Sequence, residues 1–174
     1  MNRLGVSLRV ITGDNKLVAA YIVRALDLDL APEQIVTGGQ MQSAKGKELT
    51  DLVQKGILFC EVDPDQKQVV IRELQKAKNV VGFMGDGIND VPSLEVADVS
   101  ISVDNAVDVA KSAAQFVMLK DDLAVIEKAI VLGRGTVVNT FKYIMLVVSN
   151  NFGNMFSVAG ASLLLPFLPM QPKQ

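Results

Sequence analysis

The stretch "GFMGDGINDVPSL", Gly82–Leu94, sets Asp86, Asn89 and Asp90 in a tight turn directly after an apolar run, with Pro92 close behind. Crowded carboxylates repel one another unless a positive charge lies between them. Gly85 and Gly87 allow the backbone to bend there. Asp86 and Asp90 can then offer oxygens to a magnesium ion or to its waters. An ordinary surface turn rarely carries acceptors at this density. In open parallel sheets ligands collect beyond the carboxyl ends of the strands, so the turn is expected to follow a strand and to mark the working end of a sheet.

The flanking sequence supplies that sheet. Short apolar runs at Val6–Ile11, Gly56–Val62, Asn79–Met84 and Asp98–Val103 read as strands, and Gln115–Leu119 could add a fifth. Between them, "NKLVAAYIVRALDL", "QKQVVIRELQKA" and "AVDVAKSAA" carry apolar residues at helical spacing. Alternation of this kind predicts an α/β fold with a parallel sheet covered by helices on both faces. Thr37–Leu49 is polar and reads as a loop, with "ELTDLVQ" a short helix after it.

Two other loops fall at the same end of such a sheet. "TGDN", Thr12–Asn15, follows the first strand and opens a helix. Its hydroxyl and the backbone amides around Gly13 suit an anion such as phosphate, and the same four residues also make a good helix cap. "DPDQK", Asp63–Lys67, follows the next strand, and Lys67 can bring an ammonium to a phosphoryl group as a point charge. An anion-binding turn, a lysine and magnesium carboxylates are parts of a phosphoryl-transfer site.

Composition narrows the chemistry further. The 174 residues carry a net charge of −2, so no broad basic surface points to nucleic acid. The chain has no histidine, and any bound metal must be hard and held by oxygen. The single cysteine, Cys60, lies among Ile57, Leu58 and Phe59 and reads as a buried core thiol. From Tyr143 to Pro172 no residue is charged, a run longer than the roughly twenty residues that cross a bilayer. Lys128, Arg134 and Lys142 precede it, which suits entry from the cytoplasm. The alternative for this run is a buried helix of a soluble core. The expected organisation is therefore a soluble domain over 1–120, a stalk helix over 121–142, a transmembrane helix over 143–168 and a tail over 169–174.

"TGDN", "DPDQK" and "MGDGINDVPSL" stand in the order and spacing of the phosphorylation domain of P-type ATPases, ion pumps with a haloacid-dehalogenase-like fold. The similarity continues through "ADVSISVDNAVDVAKSAA" and "GRGTVVNTFKYI" into "SNNFGNMFSV" and "LPFLPM", where it is most like the bacterial magnesium-importing branch. The resemblance implies that Thr12 and Gly13 contact phosphoryl oxygens and that Asp14 orients the motif or meets a neighbouring domain. It implies that Lys67 neutralises phosphoryl charge, that Asp86 and Asp90 serve catalytic magnesium, and that Asn89 and Asp90 hold the phosphoryl group and the geometry of the turn. ATP would be the phosphoryl donor in a complete pump. Asn151 and Asn154, with Asn150 beside them, would be transported-ion ligands in the fifth membrane helix.

Departures from that family are as telling. No aspartate here precedes Lys-Thr, so the phosphorylated aspartate of the family's Asp-Lys-Thr-Gly-Thr motif is absent, as is the nucleotide-binding domain that normally precedes "TGDN". Val91 and Ser93 stand where alanines are usual, and Ser100 replaces a common glycine, adding bulk beside the site. The resemblance thus implies a piece of a cation pump, inactive alone, that associates with the bilayer and with other pump domains or with itself. Two rivals stay open. A free-standing haloacid-dehalogenase phosphatase would need an Asp-x-Asp near the start, and the nearest such pattern, Asp27–Asp29, falls within or after a helix. A non-enzymatic membrane partner of a complete pump is the other.

Overall fold

Every strand pairing is parallel. In the computed structural model, which describes residues 1–25, 30–120 and 122–164, β1 (Val10–Ile11) and β2 (Ile35–Thr37) flank β3 (Leu58–Cys60). A second ladder places β5 (Val99–Val103) between β4 (Gly82–Met84) and β6 (Phe116–Met118). The orders are β1-β3-β2 and β4-β5-β6, so β1 and β4 each keep one edge without a ladder partner among the described residues. The helices are α1 (Lys16–Ala25), α2 (Gly38–Ser43), α3 (Lys47–Lys55), α4 (Pro64–Lys76), α5 (Val91–Val96), α6 (Asp108–Ala113) and α7 (Leu123–Leu164).

β3 organises the first core because all three of its residues are buried. Side chains alternate across a strand. Leu58 and Cys60 therefore pack with Ala19 of α1, while Phe59 points the other way into Val36, Val53, Val70 and Leu74. This two-sided burial is why the segment reads as an unbroken apolar run. Cys60 has no exposed surface and donates its S–H to the Val36 carbonyl, as a core thiol should. In the second ladder, Leu94, Ala106 and Ala110 pack against Phe83, Val91 and Val103.

Local chemistry sets the helix starts. α4 begins at a capping box in which the Asp63 N–H donates to Gln66 Oε1 at 3.0 Å, with Pro64 in the first turn. α3 is tied at its end by Arg9, whose guanidinium donates to the carbonyls of Val53, Gln54 and Gly56. Burial lowers the Arg9 pKa from its usual value.

Several expectations change. The segment Thr37–Leu49 is not a loop: it contains α2 and the start of α3. Thr37 and Gln40 form a capping box there, and a six-residue helix with one large buried side chain, Met41, is too short to show a period. β2 and α5 are additional elements, and the strands are shorter than the apolar runs that announce them. The bulk of Ser100 is accommodated, because its buried hydroxyl accepts the Gln115 N–H at 3.0 Å. The Asp27–Asp29 pattern and residues 165–168 of the apolar run lie outside the described residues.

The chain divides into two units, Met1–Asp122 and Leu123–Gln174. In the second, α7 runs unbroken for 42 residues past Gly133 and Gly135. By length and composition α7 can cross a membrane. At 1.5 Å per residue it extends roughly 63 Å, about twice the hydrocarbon thickness of a bilayer. Thr136 and Thr140 satisfy their hydroxyls on the carbonyls one turn back, and Phe152 stacks on Phe156 at 6.3 Å between centroids.

Candidate functional site

Hydrogen bonds gather the three loops at the carboxyl ends of the strands. The Val62 N–H donates to the Thr12 carbonyl at 3.2 Å and the Glu61 N–H to the Asp14 carbonyl at 2.8 Å, which fastens the loop after β1 to the exit of β3. From the first turns of α4, Lys67 reaches the loop after β4: its Nζ donates to Asp90 Oδ1 at 2.6 Å. That pair is largely enclosed, with side-chain exposures of 17% and 12%.

The glycine-rich turn is built around Asp90. A Cβ on Gly85 would lie 2.5 Å from the Asp90 Cβ, so only glycine leaves room for this carboxylate. Asp90 Oδ2 accepts the Gly87 N–H at 3.3 Å, and the Asp90 N–H closes a short 3₁₀ turn on the Gly87 carbonyl. Both carboxylate oxygens are thereby engaged. Asp86 and Asn89 are exposed beside them, and the Asp86 carbonyl accepts the Val107 N–H at 3.1 Å, pinning the turn to the approach of α6.

The loop after β1 uses its own polar groups. Thr12 Oγ1 donates to Asp14 Oδ2 at 2.9 Å and accepts the Asp14 N–H at 3.1 Å. Asn15 caps α1 through Oδ1 on the Val18 N–H at 3.0 Å. The Thr12 hydroxyl is therefore held within a local turn in this arrangement, and the capping function of the four residues is realised.

Sequence reasoning missed Glu61. It has a left-handed backbone at φ +56, and its Oε1 accepts the Lys16 N–H at 3.3 Å. No composition or period signals a glutamate at positive φ.

The donor set suits magnesium in one particular way. No group of three or more His, Cys, Asp or Glu side chains that could hold a metal occurs among the described residues. Magnesium, however, is commonly held by one or two carboxylates with waters and substrate phosphates, not by an all-protein cage. Exposed Asp86 fits that mode. Asp90 would have to turn from Lys67 to serve as a direct ligand. Along α7, Asn150, Asn151 and Asn154 are all exposed on the helix surface.

Profiles described as haloacid dehalogenase-like hydrolase match residues 1–98 and residues 67–130. The magnesium-transporting P-type 1 ATPase of Escherichia coli (strain K12) is 44% identical over 168 residues, which are 97% of this chain and 18% of that protein. The calcium-transporting ATPase of Bacillus subtilis (strain 168) is 32% identical over 173 residues, 98% of this chain and 19% of its own. Among solved structures, the catalytic domain of a CPx-ATPase aligns over 70% of this chain and 38% of its own with a TM-score of 0.51 at 22% identity, a likeness of fold. The chain spans about a fifth of the length of the curated relatives it matches. With a family match over residues 1–98, parallel strands, and the three polar loops gathered at their carboxyl ends, the chain belongs to the haloacid dehalogenase-like hydrolases and within them resembles cation-transporting P-type ATPases.

Proposed function

We propose that this chain supplies the charge-neutralising and magnesium-holding side of a phosphoryl-transfer centre, together with one membrane helix, in a cation-transporting P-type ATPase of the magnesium-importing branch. The observation that carries the reading is the Lys67–Asp90 pair, which joins the first turns of α4, after β3, to the turn after β4, where Asp86 is exposed. The higher identity to a magnesium-transporting ATPase, 44% against 32% for a calcium-transporting one, favours the branch.

In that role Lys67 would bring a positive charge to an anion arriving over the strand ends, and Gly13 would offer a backbone amide from the loop after β1. Asp86, with Asn89 next to it, would hold magnesium; when bound, that ion neutralises phosphoryl oxygens during transfer. The nucleophilic aspartate and the ATP-binding domain would come from other parts of the pump. The open edges of β1 and β4 are places where a further parallel strand can add, since an unpaired edge offers its N–H and C=O groups. The α7 helix crosses the membrane with the Met1–Asp122 unit in the cytoplasm.

A chimera tests this. Residues 1–164 replace the matching segment of a magnesium-transporting P-type ATPase, and growth on limiting magnesium is followed in cells that depend on it. Growth supported by the chimera is the expected result. A chimera that reaches the membrane folded yet neither forms the acid-stable phosphoenzyme nor imports magnesium overturns the assignment. The isolated chain, lacking the aspartate, is expected to take no acid-stable label from ATP. Strong labelling would mean that another acceptor carries the chemistry.

A further inference from the structure

We propose that Glu61 is a positioning residue for the loop Thr12–Asn15, closing the N-terminus of α1 from the end of β3 and fixing the loop that would face a phosphoryl group. The proposal rests on the phosphoryl-site reading above. Glu61 adopts φ +56, a conformation that residues other than glycine, asparagine and aspartate seldom take. Such backbone persists where the surroundings over-determine it, and it clusters at functional sites.

Three contacts determine it here. The Glu61 N–H donates to the Asp14 carbonyl at 2.8 Å. The Glu61 carbonyl lies so close to the start of α2 that a Cβ on Gly38 would come within 2.1 Å of its oxygen. The left-handed turn then swings the carboxylate over α1, where Oε1 accepts the Lys16 N–H at 3.3 Å. One residue thus ties together the end of β3, the first turn of α2, and the loop that leads from β1 into α1.

The contact also decides which amides remain for an anion. A helix N-terminus attracts negative charge through its unpaired N–H groups and dipole. In α1 the Val18 N–H is taken by Asn15 and the Lys16 N–H by Glu61, which places a carboxylate at the positive end of the helix. The Gly13 amide, like that of Leu17, has no acceptor among the described residues. Glu61 therefore occupies one α1 amide that an anion would otherwise meet and sets a negative charge beside the others.

The full chain in detergent micelles, labelled with nitrogen-15, provides the test. Hydrogen exchange is measured at the Lys16 amide, with the Phe59 and Val70 amides as core references, and the Gly13 resonance is followed during titration with inorganic phosphate and magnesium chloride. Glu61→Gly suits positive φ but lacks the carboxylate. It is expected to keep core protection while Lys16 exchanges about fivefold faster, the scale of one lost hydrogen bond. Glu61→Asn, also at ease at positive φ and a methylene shorter, is expected to do the same. Glu61→Gln keeps an acceptor and is expected to restore parental protection. Unchanged Lys16 exchange in folded Gly and Asn variants overturns the proposal, as does a folded Gln variant that fails to restore it. If the parent's Gly13 resonance ignores phosphate, the phosphoryl-site reading fails, and the exchange data still decide the role of Glu61.

Discussion

Lys67 Nζ lies 2.6 Å from Asp90 Oδ1, and this ion pair joins the helix after β3 to the turn after β4. Each residue is mostly enclosed, so either charge left alone loses both its partner and most of its water. Removing one member of a buried pair typically costs about 3–5 kcal/mol; with residual solvent access, about 1–3 kcal/mol is the appropriate scale here. Lys67→Met and Asp90→Asn are each expected to destabilise the chain. The double variant should be less destabilised than the sum, as measured by denaturant unfolding in micelles. Strict additivity would mean that the two charges do not sense each other.

Magnesium binding is expected to depend on Asp86 more than on any other exposed carboxylate. Asp86 stands next to the enclosed pair and keeps an exposed side chain, while Asp51 lines an open groove with Thr37, Gln40 and Lys47 beside α2 and α3. Asp86→Ala should weaken magnesium binding several-fold in calorimetric titration, and Asp51→Ala should leave it within error. Equal losses would point to diffuse charge screening with no defined site.

Glu73 gives a pH prediction. Its buried carboxylate accepts hydrogen bonds from Lys76 at 2.5 Å and from Thr50 at 2.6 Å. The bond from Lys76, then that from Thr50, lowers its pKa below the ordinary carboxylate value, and burial opposes the shift only in part. A carboxylate with a lowered folded-state pKa contributes stability above its unfolded pKa and loses it as pH falls through the folded value. The stability contributed by Glu73 is therefore complete at neutral pH and declines below the usual glutamate range. Glu73→Gln should cost about 1–3 kcal/mol at pH 7 and progressively less in acid. A pH-independent difference between parent and variant would remove the charge from the explanation.

How much of this could be read in advance depended on how local the signal was. Gly85, Asp86, Asn89 and Asp90 reveal a special turn because glycine and carboxylate types are themselves the constraint. Leu58, Phe59 and Cys60 reveal a two-sided strand for the same kind of reason. β2 and α2 escaped because three and six residues are too few for a period to register. Lys67 and Asp90 were both identifiable, but their pairing is a tertiary contact between residues 23 apart. Glu61 was invisible, since the contacts that accompany its positive φ, to Asp14, Lys16 and Gly38, are tertiary and leave no mark on the local sequence. Alternation of strands and helices specified parallel pairing, whereas the separation into β1-β3-β2 and β4-β5-β6 follows from strand order, which alternation leaves open.

The last prediction concerns the amides of α7. Asn150, Asn151 and Asn154 lie within one continuous helix, Leu123–Leu164, and each is exposed on its surface. Asn151 and Asn154 are three residues apart and share a face, while Asn150 is rotated from Asn151 by about a hundred degrees. Unpaired amides at membrane depth are costly and usually face other helices or a pathway. No bulk crowds Gly153 beside them, so a neighbouring backbone can approach. Neutral amide oxygens suit a cation that keeps part of its water shell, as magnesium does. In a complete pump carrying this segment, Asn151→Ala and Asn154→Ala should therefore reduce magnesium uptake about tenfold or more while phosphoenzyme formation from ATP persists, and Asn150→Ala should be milder. Interhelical hydrogen bonding makes a different forecast: the variants would lower thermal stability in micelles and leave uptake by the folded pump intact. If all three support growth on limiting magnesium as the parent does, these amides pack helices and the ion is bound elsewhere.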